Sequence, residues 1–221
     1  MSKPQHDAGD AGDTATVPGR TIGYTLLRGA ALQAQPWKNG GGVTREIAVF
    51  PEGAGMDDFI WRVSLADVAA AGPFSRFAGV DRTLVLLSGD GMVLHQDDGT
   101  VHTLSRPLDL AAFAGESAID ATLPGGATRD FNLMLRRGAA QGRVEVWQGA
   151  GRHLLDGDVV LLFCARGRVE LALGDDAPIT LETDDSLRLD AATALDCRVA
   201  GDGALLAVSI RLLPHPPSDR S

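Results

Sequence analysis

Lysine is nearly missing from this chain: Lys3 and Lys38 are the only two, so its basic charge is almost all arginine. A net charge of −9 and a pI near 4.9 deny it the broad basic face that a nucleic-acid backbone demands. A local cationic pocket stays open. Cysteine is scarce too. Cys164 and Cys197 each sit in an apolar, strand-like stretch, as buried reduced thiols do, and neither has a basic neighbour to make it a nucleophile. No apolar run approaches the roughly 18 residues of a membrane helix. Residues 1–20 are rich in Asp, Gly, Ala and Thr and lack the apolar segment of a signal peptide. They read as a disordered tail, and a cytoplasmic protein with no membrane partner follows. The five histidines, His6, His95, His102, His153 and His215, form no His-x-His or His-x-x-x-His pair, so no metal or other cofactor is expected. Ser64 has no evident histidine partner, which weakens any hydrolase triad.

What is present is β-structure. Short apolar runs alternate with turn signals such as Ser88-Gly89-Asp90-Gly91, Asp97-Asp98-Gly99 and Gly174-Asp175-Asp176, the spacing of a sandwich or barrel. Only Ala66–Ala71 suggests a helical turn. An internal repeat is visible at a shift of about 76 residues. Leu84–Leu94 resembles Val160–Leu171, and the shift aligns Gly91 with Gly167 and places Phe131–Leu135 over Ala207–Arg211. The expected fold is all-β, with two barrels in one chain. The first covers residues 21–140 and the second 141–213, with a tail at 214–221. Under the same shift Arg82 and Asn132 fall opposite Asp158 and Val208. The polar set of the first half thus has no counterpart, and the second half reads as structural support.

The densest polar segment is Pro36-Trp37-Lys38-Asn39-Gly40-Gly41-Gly42-Val43-Thr44-Arg45-Glu46-Ile47. Three glycines bring backbone amides close to whatever sits there, but no Gly-Lys-Ser/Thr follows to make a phosphate loop. On the following strand Thr44 and Glu46 share one face, while Val43, Arg45 and Ile47 share the other. In Phe59-Ile60-Trp61-Arg62-Val63-Ser64-Leu65 the odd positions are large and apolar, which leaves Arg62 and Ser64 on the opposite face. An interior arginine needs an anion, from the protein or from a ligand. Glu46 is the partner within the chain. An Arg beside Glu, Thr and Ser also makes a cup for a carboxylate. Arg82 precedes a strand, and Asp130, Asn132, Met134 and Arg136 share one face of another.

These segments, with Gly72-Pro73-Phe74-Ser75, Gly79-Val80-Asp81-Arg82, Phe113-Ala114-Gly115 and Asp130-Phe131-Asn132-Leu133-Met134, resemble the HutD/Ves family of the cupin superfamily. The resemblance covers Tyr24 to Arg137 with specific motifs. It implies two cupin-like, jelly-roll barrels (a bicupin) without the superfamily's metal-binding histidines. It also implies a non-enzymatic binder linked to histidine utilisation, with a small carboxylated or formylated partner such as N-formylglutamate. Matching motif by motif, the site it implies is Lys38, Asn39, Thr44, Glu46, Arg62, Ser64, Arg82 and Asn132. A homodimer stays open. Two rivals stand beside this reading: a metal-free isomerase or hydrolase with Glu46 as general base, and an interaction module whose second barrel docks a partner. A base must be free, so a firm Glu46–Arg62 ion pair would favour the binder. EDTA should leave the melting temperature and ligand binding unchanged; one stoichiometric transition metal per chain by elemental analysis would contradict this.

Overall fold

The computed structural model describes residues 13–17 and 20–214. In chain order the strands are β1 (Asp13–Val17), β2 (Arg20–Leu27), β3 (Ala34–Pro36), β4 (Gly42–Phe50), β5 (Trp61–Val68), β6 (Gly72–Pro73), β7 (Val80–Ser88), β8 (Met92–Gln96) and β9 (Val101–Leu104). They continue with β10 (Leu110–Ala114), β11 (Ile119–Thr122), β12 (Thr128–Arg136), β13 (Ala140–Gln148), β14 (Gly151–Arg166), β15 (Arg168–Leu173), β16 (Ile179–Glu182), β17 (Ser186–Gly201) and β18 (Ala204–Leu212). A 3-10 turn at Gly29–Ala31 is the one helical element among the described residues, and no described helix is long and apolar enough to cross a membrane. The fold is all-β, as expected. Most of the expected tails, 1–12 and 215–221, lie outside the described residues, but 13–17 pair with β2.

The strands form three sheets: six-stranded β10-β7-β12-β5-β4-β3, four-stranded β6-β11-β8-β9, and eight-stranded β1-β2-β17-β14-β18-β13 with β15 and β16 attached through β17. Pairing order in the second half repeats that of the first. β12 lies between β5 and β7, as β18 lies between β13 and β14. Gly91 and Gly167 occupy corresponding turns, β7 to β8 and β14 to β15, with φ of 120° and 77°. β7 and β8 belong to different sheets, so the Gly91 turn carries the chain between layers, whereas β14 and β15 both pair with β17 in the eight-stranded sheet.

Four local readings change. The helical turn at Ala66–Ala71 does not form, because β5 runs to Val68, hydrogen-bonded on one side to β4 and on the other to β12. β14 and β17 are continuous where the sequence suggested shorter pieces; bends at Ala191 and Ala194 (φ 55° and 47°) and a register shift after Leu155 carry the chain through. The repeat also slips by one residue. Leu84 pairs with Asn132, while its equivalent Val160 pairs with Ser209 and not Val208. Finally, β2 pairs with β17, so residues 20–27 belong to the sheet of the second half.

The six-stranded sheet is buried on both faces. Trp61, Val63, Leu65, Phe131 and Leu133 pack against Leu161, Phe163, Leu206 and Val208 of the eight-stranded sheet, with the rings of Phe131 and Phe163 5.1 Å apart. On its other side Leu84, Leu86 and Val68 pack against Met92, Leu94, Leu104 and Ala121. A third core fills the second half and holds both cysteines. Burial pushes their thiols up to about 11 for Cys164 and about 12 for Cys197, so neither is a thiolate at neutral pH. Because one apolar cluster joins the two halves, unfolding should be a single transition seen alike by fluorescence and far-ultraviolet dichroism. Phe163→Ala should destabilise it by about 3–5 kcal/mol. Two separable transitions in the wild type would contradict a shared core.

Candidate functional site

With the odd positions of β5 sealed against the other half, its even positions turn the opposite way. Cross-strand register arranges them with their neighbours in three rows on one face of the six-stranded sheet. Arg62, Met134, Arg82 and Phe113 form the first row; Glu46, Ser64, Asn132 and Leu84 the second; Thr44, Ala66, Asp130 and Leu86 the third. Glu46 joins this face beside a β-bulge, the register shifting between Glu46 and Ala48. Ile47 lies in the core between the halves, as alternation expects, but the bulge sends Val49 to the cavity side, with Phe59, Val80 and Met134, which simple alternation does not foresee. Phe59 accordingly packs apart from Trp61, Val63 and Leu65.

A cavity of about 510 Å3 opens over these rows, with Trp37, Phe74 and Phe77 among its walls. Of the residues expected at the site, Lys38, Asn39, Thr44, Arg62, Ser64, Arg82 and Asn132 line it. Glu46 does not, but it supports the cavity from one side: Arg62 Nε donates to Glu46 Oε2 at 2.7 Å, and Arg62 Nη1 donates to Ser64 Oγ at 3.2 Å. Lys38 and Asn39 are exposed at the mouth.

Arg82 is different. It is 8% exposed, and no carboxylate among the described residues is within ion-pair distance. Its two hydrogen bonds are long, from Nε to Asn132 Oδ1 at 3.4 Å and from Nη1 to the Ser75 carbonyl at 3.5 Å. The guanidinium instead lies over three rings, Phe74 at 5.3 Å, Phe77 at 5.6 Å and Phe113 at 5.1 Å. Burial lowers its pKa to about 10, with nearby Arg62 adding to the effect and Asp130 opposing it. It still carries its charge at pH 7. Cation–π contact softens such burial but does not replace an anion.

Asp130, in the third row, is 2% exposed and lines the cavity. Burial raises its pKa to about 7 despite the opposing pull of Arg82. The sequence placed it on the face of Asn132 without assigning it to the site, because burial of one carboxyl among apolar neighbours leaves no local signature. Arg136, expected on that same face, lies over the Phe59 ring at 5.2 Å outside the cavity lining and clamps the carbonyls of Phe59 and Asp57 at 2.8 and 2.7 Å.

The glycine loop does not cradle a ligand with its amides. Gly40 N donates to the Trp37 carbonyl at 3.0 Å and Gly41 N to Asn39 Oδ1 at 3.0 Å. At Gly42 a Cβ would meet the Asp67 carbonyl at 2.5 Å and the Trp37 ring at 3.0 Å. The glycines therefore let Trp37 lie flat on the loop, with its Nε1 donating to Thr44 Oγ1 at 2.7 Å.

The second half has a cleft of about 320 Å3 at the matching place, lined by Gln141, Arg143, Ser209 and Arg211 among others. The one-residue slip hid this from the sequence. Its arginines are well exposed and already engaged, Arg143 with Glu145 and Arg211 with Asp156. The metal that many cupins hold does not fit here: no three His, Cys, Asp or Glu among the described residues are grouped to hold one, and the cavity floor is cationic.

A family model described as HutD matches residues 29–207. A relative from Pseudomonas putida, described as an uncharacterized 21.2 kDa protein in the hutC 3' region, is 41% identical over 165 residues, covering 75% of this chain and 86% of its own. Protein Ves of Citrobacter koseri is 42% identical over 111 residues, 50% of this chain and 56% of its own. The solved structure of HutD from Pseudomonas fluorescens SBW25, in a formate condition, is 33% identical with a TM-score of 0.74, covering 85% of this chain and 99% of its own. Cupin-like structures at 11% and 7% identity share the fold alone, with TM-scores of 0.65 and 0.58.

The raised carboxyl makes a prediction for the free protein. Well below pH 4 Asp130 is protonated folded or unfolded, and its burial carries no ionisation penalty; as pH rises to about 7 only the unfolded chain ionises, so stability is lost across that window. Asp130→Asn removes the effect. Denaturant titrations should show it gaining a few kcal/mol on the wild type between pH 4 and pH 8. Parallel pH profiles of the two would refute the raised carboxyl.

Proposed function

We propose that this chain, which belongs to the HutD family, is a non-enzymatic cytoplasmic binder of small carboxylates, with a regulatory place in histidine utilisation. The observation that carries this is Arg82: a buried, charged guanidinium at a cavity floor with no carboxylate partner. A ligand carboxylate supplies the missing anion. Arg62 adjoins it in the same row with one edge held by Glu46, Ser64 and Asn132 offer polar atoms between them, and Lys38 stands at the mouth. The aromatic walls suit a short carbon backbone, and N-formylglutamate is the leading candidate. The hutC neighbourhood in the P. putida relative's name and the formate condition of the P. fluorescens structure support the same direction.

The rival with Glu46 as general base has less support, since Glu46 is tied to Arg62 and stands outside the cavity lining. As for architecture, the repeated pairing order supports two cupin-like barrels divided near residue 140, with β2 paired into the sheet of the second. The ligand site belongs to the first.

Calorimetry with formate, N-formylglutamate and urocanate tests the reading. At least one should bind, and Arg82→Gln should abolish that binding. Arg62→Lys keeps the charge but loses the planar fork, weakening binding by about 1.5–3 kcal/mol, or roughly ten- to a hundred-fold. Arg168→Lys, in the second half, should bind as the wild type does. Wild-type affinity in Arg82→Gln would place the ligand elsewhere.

A further inference from the structure

Asp130 is the group that anion binding alone leaves without a role. Its Oδ2 is fully buried and has no hydrogen-bond partner, and the carboxyl lines the same cavity as Arg82. A lone buried acceptor at the floor of a cationic cavity is costly unless something satisfies it.

The charges around it are few. From β7 comes Arg82 and from β5 Arg62, with Asp67 beyond, the latter already held by Arg45 and Arg129. From β4 comes Glu46, engaged by Arg62, and from the loop after β3 comes Lys38 at the mouth. On its own strand Arg129 turns away to Asp67 and Asp184. The four-stranded sheet opposite presents Met92, Leu94, Leu104 and Ala121, all apolar. Of its titratable groups, His95 and Asp120 are exposed, and His102 has its ring 6.2 Å from that of Phe113 and is hydrogen-bonded to Gln96.

A carboxylate that settles on Arg82 brings a second negative charge into the same water-poor volume. Two carboxylates sharing one site do not both stay ionised. We infer that Asp130 is the proton carrier of this site: an anion binds against Arg82 together with one proton from solvent, which Asp130 holds, and the two leave together. The protonated carboxyl then has an O–H to donate to the bound anion. Burial already holds this carboxyl near neutrality, so the proton is available at cellular pH. Binding of this kind loosens as the pH rises.

This inference rests on the carboxylate-binding reading, and one experiment separates them. N-formylglutamate is titrated calorimetrically from about pH 6 to about pH 9, in two buffers of different ionisation heat, so that protons taken up per ligand are counted. The wild type should take up close to one proton at about pH 8, with affinity falling about tenfold per unit above about pH 7. Asp130→Asn should bind with no proton uptake and a flat pH profile, about tenfold tighter than the wild type at pH 8. Wild-type binding with no proton exchange would overturn this inference and leave the carboxylate site standing; a wild-type slope in Asp130→Asn would do the same. Failure of the wild type to bind N-formylglutamate, formate or urocanate at any pH would overturn both. The proton count on the wild type decides the matter even if the variant does not fold.

Discussion

A sheet sealed on both sides has no neutral place for a charged side chain, and β5, β7 and β12 carry three of them inward. One face of the six-stranded sheet is committed to the shared core, where Trp61, Val63, Leu65, Phe131 and Leu133 exclude water. Strand alternation then forces Arg62, Ser64, Arg82, Asp130 and Asn132 onto the other face. Arg62 finds Glu46. Arg82 finds only rings and two long hydrogen bonds. The cavity exists because those polar groups cannot close against the apolar residues of the four-stranded sheet, and its chemistry is set by Arg82, a buried cation with no ion-paired carboxylate among the described residues.

Burial is also what tunes the site. Desolvation lowers the hold of Arg82 on its proton and raises that of Asp130, each opposing ionisation of its own charge. Their mutual attraction offsets part of this, without bringing them into contact. A better-paired floor would be more stable and would bind nothing, a common compromise at functional sites. The second half shows the alternative outcome. Its equivalent cleft holds arginines too, but they are exposed and each has a carboxylate within reach.

Much of this was legible in the sequence, for reasons that differ from residue to residue. The apolar odd positions of Trp61-Arg62-Val63-Ser64-Leu65 declared the two faces of β5, since period-two alternation survives in any regular strand. The matched turns at Gly91 and Gly167 declared the repeat. Alternation held through Ile47 and failed at Ala48 and Val49, where a bulge changes parity; Arg136 keeps its face but is drawn out of the cavity by backbone carbonyls some 77 and 79 positions away in the chain. The glycine run misled in another way: its amides are consumed within the loop, and the close approach it permits is to Trp37. Asp130 was visible as a residue but not as a participant. Its role depends on burial among side chains from several strands, which is a property of the packed fold.

The central claim is that Arg82 receives the ligand's carboxylate. A crystal structure of the protein grown with N-formylglutamate tests it most directly. The account predicts a carboxylate within hydrogen-bond distance of the Arg82 guanidinium, about 2.7–3.2 Å, in the cavity floored by Arg62, Asn132 and Asp130. A ligand lodged in the second-half cleft between Arg143 and Arg211, or Arg82 turned to pair with Asp130 while the ligand sits elsewhere, would contradict it.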